Sequence, residues 1–79
     1  MQTVNQSNVT DVQAQEMCEK LIIYIRERYP HLNSLWFKLS KNGKHLSLRA
    51  RYKRRAIHAN GKDFEKTINT FMFSVVKIF

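Results

Sequence analysis

Seventy-nine residues, with fourteen Lys and Arg against six Asp and Glu, make one small and strongly basic domain of net charge +8 and pI near 10.1. That length supports only a thin core, the single Cys18 excludes an internal disulfide framework, and the longest apolar run is too short to span a bilayer. The charge is uneven: residues 1–30 carry four acids and three bases, net −1, whereas residues 31–79 carry eleven bases and two acids, net +9. A basic half joined to a near-neutral half points to a directed surface for RNA, DNA or anionic lipid. The competing reading is a basic protein with no polyanion partner. No signal-peptide pattern stands at the polar N-terminus, so a reducing cytoplasm is the expected compartment.

Residues 1–9, MQTVNQSNV, read as a tail or as a short edge strand around residues 2–5, ahead of a single domain over 10–79. A helix then opens with Thr10 as N-cap and Gln13 in the capping-box position. Asp11 suits its start electrostatically, and Arg26 and Arg28 suit its end. Ala14, Met17, Cys18, Leu21, Ile22, Ile25 and Tyr29 recur at helical spacing and form the expected buried stripe, with Ile23 outside it. Pro30 stops the helix, because the residue before proline avoids helical geometry. The polar face mixes Glu16, Glu19, Lys20, Arg26 and Glu27, a solvated pattern and not a lipid-binding one.

Residues 34–59 read as a β-hairpin with one apolar and one cationic face. The turn falls on Asn42-Gly43, a pair that tolerates positive φ. Folding there places Lys41 opposite Lys44 and pairs Leu39 with Leu46, Phe37 with Leu48 and Leu35 with Ala50, the last three pairs inward. The outward pairs are Ser40 with His45, Lys38 with Ser47 and Trp36 with Arg49. The second strand continues to Tyr52, and residues 56–59 form a third. A tight turn at Lys53-Arg54 would pair Ala50 with Ile57 and Arg49 with His58; a longer irregular turn competes, since no Gly or Asn is present. Asn60-Gly61 is expected to end the sheet.

From Asp63, a candidate cap, Phe64, Ile68, Phe71, Met72, Val75 and Phe79 fit one helix face. FMFSVVKIF is dense in β-formers, so a C-terminal strand competes with the helix. The helix is preferred because a half-apolar sheet needs a second covering element. The fold class is therefore α+β, two layers in the order α-β-β-β-α, with helices on one face of an antiparallel sheet.

Five bases crowd into seven residues: Arg49, Arg51, Lys53, Arg54 and Arg55. Alternation puts Arg49, Arg51 and Lys53 on one face beside Trp36 and Lys38, with Arg54 and Arg55 at the turn. Arginine grips phosphate bidentately and stacks on bases, and Trp36 offers a stacking platform or simply packs on the Arg49 stem. Lys38, His45 and Trp36 complete the candidate nucleic-acid-binding set. A charge row of this kind can also serve only to protect a sheet edge, but five bases exceed that need. His31, His45 and His58 stand at no metal-ligand spacing, so no metal and no cofactor are expected. His45 and His58 fall on the cationic face without a positioned acid, so no catalytic residue is assigned.

Two patterns bear a family likeness. The α-β-β-β-α order with a basic sheet-to-helix connection resembles the double-stranded-RNA-binding-domain fold. More narrowly, residues 8–39, NVTDVQAQEMCEKLIIYIRERYPHLNSLWFKL, and 56–79, AIHANGKDFEKTINTFMFSVVKIF, resemble the short ribosome hibernation-promoting factors, the ribosome-associated inhibitor family. The resemblance implies binding to the small ribosomal subunit in the channel used by tRNA and mRNA, and hence a block of translation. MQTVN departs from that family's opening strand, and the end of this chain's closing helix has only Lys77 among apolar residues where the family carries several bases. The leading expectation is an RNA-binding protein, with DNA as an alternative polyanion. Three other readings stay open: a small ribonuclease toxin of the HicA type with His45 as acid or base, a phage or plasmid DNA-binding accessory protein, and a homodimer formed through the apolar C-terminal segment.

Overall fold

The computed structural model describes residues 11–40 and 45–79. The elements are α1 (Asp11–Arg28), β1 (Asn33–Leu39), β2 (Leu46–Tyr52), β3 (Arg55–Gly61) and α2 (Phe64–Ile78). This is the expected α-β-β-β-α order, an α+β fold with an open antiparallel sheet in the order β1-β2-β3. The proposed leading strand, the Thr10 cap, the Asn42-Gly43 turn and the Lys41–Lys44 pair lie outside the described residues.

Alternation in β2 sets the layers. Leu46, Leu48 and Ala50 are buried, while Arg49 and Arg51 are exposed. The buried set continues through Leu35 of β1 and Ile57 and Ala59 of β3, under Ala14, Cys18 and Ile25 of α1 and Phe64, Phe71 and Val75 of α2. Helix α1 lies over β1, and α2 lies over β3 and β2. The C-terminal segment is thus a helix, not a strand. The Asp63 side chain accepts the Lys66 N–H at 2.9 Å, and Glu65 follows in the first turn.

Helix α1 meets the sheet chiefly along β1. Small residues, Ala14 and Cys18, occupy the close approach, and Leu21 and Ile22 are half-buried. Met17, expected in the buried stripe, is instead 44% exposed on the flank. Burial pushes the Cys18 thiol up to about 11, with the neighbouring Glu19 charge adding to the effect. Its proton is therefore retained at neutral pH, and ionisation above about pH 9 favours the unfolded chain.

The register matches expectation from Trp36 opposite Arg49 to Leu39 opposite Leu46. It fails at Leu35 and Ala50. Asn33 lies opposite Arg51, so β1 advances three residues while β2 advances two, and the extra residue makes a bulge. Ser34 takes φ 55° there. Arg26 Nη2 donates to the Leu35 carbonyl at 3.1 Å, tying the last turns of α1 to the bulge.

The second hairpin does turn tightly at Lys53-Arg54, with Tyr52 opposite Arg55. Lys53 supplies the left-handed φ of 57° that the absent Gly or Asn would have supplied. Asn60 and Gly61 do end the sheet, and they do so as paired residues, opposite Ser47 and Leu46 at the close of β3. Gly61 is needed there for a packing reason. A Cβ at that position would stand 2.8 Å from Thr67 Oγ1, on a buried side chain of α2. Gly61→Ala is expected to cost about 1–3 kcal/mol in denaturant unfolding. The cost should shrink in a Thr67→Ala background; an equal cost in both backgrounds would assign it to something other than this contact.

At the far end, Phe79 joins the layers. Its ring centroid is 4.9 Å from that of Tyr29 and 4.6 Å from that of Tyr52, both in tilted arrangements.

Candidate nucleic-acid interface

No described element covers the sheet face opposite the helices. Direct pairing defines three rows across it. Trp36, Arg49 and His58 form the middle row, Lys38, Ser47 and Asn60 a second, and Asn33, Arg51 and Ala56 a third. All but the half-buried Ser47 are exposed. The three strands contain no Asp or Glu. The acids at Glu16, Glu19, Glu27 and Glu65 belong to the helices, and Asp63 caps α2. The open face is therefore cationic without an internal counter-charge, which is the electrostatic condition for holding a polyanion.

Arg49 Cζ lies 5.8 Å from the centroid of the Trp36 ring. This cation–π contact preorganises the guanidinium while leaving Trp36 44% exposed. Both side chains can take part in stacking and still leave guanidinium N–H groups for phosphate. His45 stands exposed just before β2, its N–H donating to Ser40 Oγ at 2.9 Å and its carbonyl accepting the Ser40 N–H at 2.9 Å.

The remaining bases are not all on this face. Lys53 was expected beside Arg49 and Arg51. Its left-handed turn geometry instead places Nζ 5.4 Å over the Tyr52 ring, which packs on Phe79. Arg55 pairs with Tyr52, so alternation turns it to the helix side. Arg54 is exposed at the tip between them. The structure thus brings together Trp36, Lys38, Arg49 and Arg51, with His45 at one end and Arg54 at the other. Lys53 and Arg55 form the outer rim.

Asn33, His58 and Asn60 also belong to this face but not to the expected binding set. Alternation alone placed His58 here. Asn60 reaches this face as a paired residue at the end of β3, and Asn33 through the bulge. They add neutral hydrogen-bonding groups among the cations. Among the described residues, no three His, Cys, Asp or Glu side chains gather to hold a metal ion, and no helix is long and apolar enough to cross a membrane. No family model, curated protein or solved structure matches the chain.

Proposed function

We propose that this chain binds RNA through the open sheet face and acts as a ribosome-associated inhibitor of translation. The carrying observation is an acid-free sheet whose uncovered side sets Trp36, Arg49 and His58 in one row, flanked by Lys38 and Arg51. In this reading Lys38, Arg49, Arg51 and Arg54 contact phosphates and Trp36 stacks on a base. Asn33, His58 and Asn60 hydrogen-bond to whatever edges face them. Lys53 and Arg55 add long-range attraction from the rim, and His45 offers a stacking or polar contact at one end of the face. Phosphate contacts dominate, so binding tolerates sequence variation and weakens steeply with salt. The ribosomal target rests on the family resemblance of residues 8–39 and 56–79.

Co-sedimentation with ribosomes and isolated subunits across a salt series, with duplex DNA as competitor, tests the proposal. The chain is expected to pellet with the small subunit and to be released as salt rises. Preferential capture by the DNA competitor would replace RNA with DNA as the ligand, and failure to pellet at low salt would remove the ribosome.

A further inference from the structure

Strand β1 is an edge of the sheet among the described residues. The Ser40 N–H donates to the His45 carbonyl. Antiparallel alternation then turns the main-chain groups of Trp36 and Lys38 toward β2, and those of Leu35, Phe37 and Leu39 away from it. Arg26 takes the Leu35 carbonyl at 3.1 Å. Phe37 and Leu39 therefore present their N–H and C=O groups to the side where no described strand lies. An apolar groove of about 500 Å³ runs beside this edge, lined by Glu19, Ile22, Ile23, Leu35, Trp36 and Phe37. Ile23 is 56% exposed on its wall.

We propose that a second copy of this chain docks here, β1 against β1, antiparallel about a two-fold axis at Phe37, to make a continuous six-stranded sheet. The polarity of β1 selects this occupant. Reading outward from Phe37 gives Lys38 then Leu39 in one direction and Trp36 then Leu35 in the other. The two-fold therefore sets Leu35 opposite Leu39 of the other copy on the helix side. On the open side it sets Trp36 opposite Lys38 of the other copy, twice, so each cation meets an aromatic ring and neither lysine faces a lysine. The two α1 helices come side by side over the seam and remove Ile23 from water. The bulge at Ser34 and Leu35 ends the main-chain ladder there: Phe37 pairs with Phe37 of the other copy between the two Trp36–Lys38 pairs, and Leu35, whose carbonyl already accepts from Arg26, meets Leu39 by side chain alone. Lys38 alone would protect the edge from indiscriminate pairing; opposite Trp36 it becomes a requirement for one register.

Sedimentation equilibrium of the full chain in about 0.3 M salt, where repulsion between copies is screened, reads the association. A dimer is expected. Trp36→Lys sets lysine against Lys38 at both contacts and should weaken it at least about tenfold. Trp36→Glu replaces each contact with an ion pair and should hold it within about threefold. Phe73→Lys, on the exposed side of α2, should leave it unchanged. A monomer at every concentration overturns the proposal. So does indifference to Trp36→Lys, loss of the dimer in Phe73→Lys, or a dimer seen only after removal of residues 1–9. Thermal unfolding separates dissociation from misfolding. Should the lysine variant not fold, mixed Trp36→Cys and Lys38→Cys chains give a second reading. Facing positions lie within disulfide reach, and absence of the mixed cross-link under mild oxidation also overturns the pairing.

Discussion

Replacing Arg49, Arg51 and Arg54 together with alanine is expected to lower RNA affinity about a hundredfold at low salt. Each lost charge-assisted contact is worth about 1 kcal/mol or somewhat more in water. The three losses should also flatten the slope of log affinity against log salt by about two to three, since each neutralised phosphate contributes about 0.7 on a single strand and about 0.9 on a duplex. All three side chains are exposed, so the variant should unfold with the same midpoint as the parent. A control removes equal charge from the helix layer: Lys20, Arg28 and Lys66, also exposed, changed to alanine. The control should lose far less affinity. If it loses as much, attraction is a property of net charge and the sheet face has no special role. If the triple variant binds like the parent, the face is not the interface.

The second large effect concerns the core. Phe71→Ala is expected to cost about 3–5 kcal/mol, while Phe73→Ala should stay within about 0.5 kcal/mol of the parent. Phe71 is fully buried and Phe73 is 69% exposed, although they are two residues apart in α2. A helix turns through about 200° over two residues, whereas a strand returns to the same face. The contrast therefore also distinguishes the helix from the strand that FMFSVVKIF would tolerate. A domain of this size holds on the order of 4–12 kcal/mol in all, so Phe71→Ala should leave the chain close to its unfolding limit at room temperature. Equal losses from the two variants, read by urea denaturation, would contradict the helix.

The sheet was legible because its alternation is strict. LSLRARY in β2 has apolar residues at every second position, and Leu46, Leu48 and Ala50 are buried as that pattern demands. Two strands that agree on which face is wet leave little freedom of register, and the pairs from Trp36 to Leu39 followed. The helix at residues 64–78 was harder to read, because its composition favours β and only its period and the sheet's need for a second covering element argue against a strand. Three features needed three dimensions. The bulge is held by Arg26, which reaches the Leu35 carbonyl from another element. The exposure of Met17 depends on which flank of α1 faces β1. The departure of Lys53 from the cationic face depends on its left-handed turn, where a lysine gives no sequence signal. For the candidate site, alternation alone located Trp36, Lys38, Arg49 and Arg51. Asn33 and Asn60 are not legible because one needs the bulge and the other lies beyond residues 56–59, the span that reads as the third strand.

The strands lie in space in the order in which they occur along the chain. Each pairing step closes only a short loop, whose entropic cost is small. No strand must wait for a distant segment to arrive, and either hairpin can zip before the helices settle on it. Topology of this kind lies toward the fast end for chains containing sheet, with refolding on the order of milliseconds. A newly made chain would therefore expose its oily surfaces only briefly before the helices cover them.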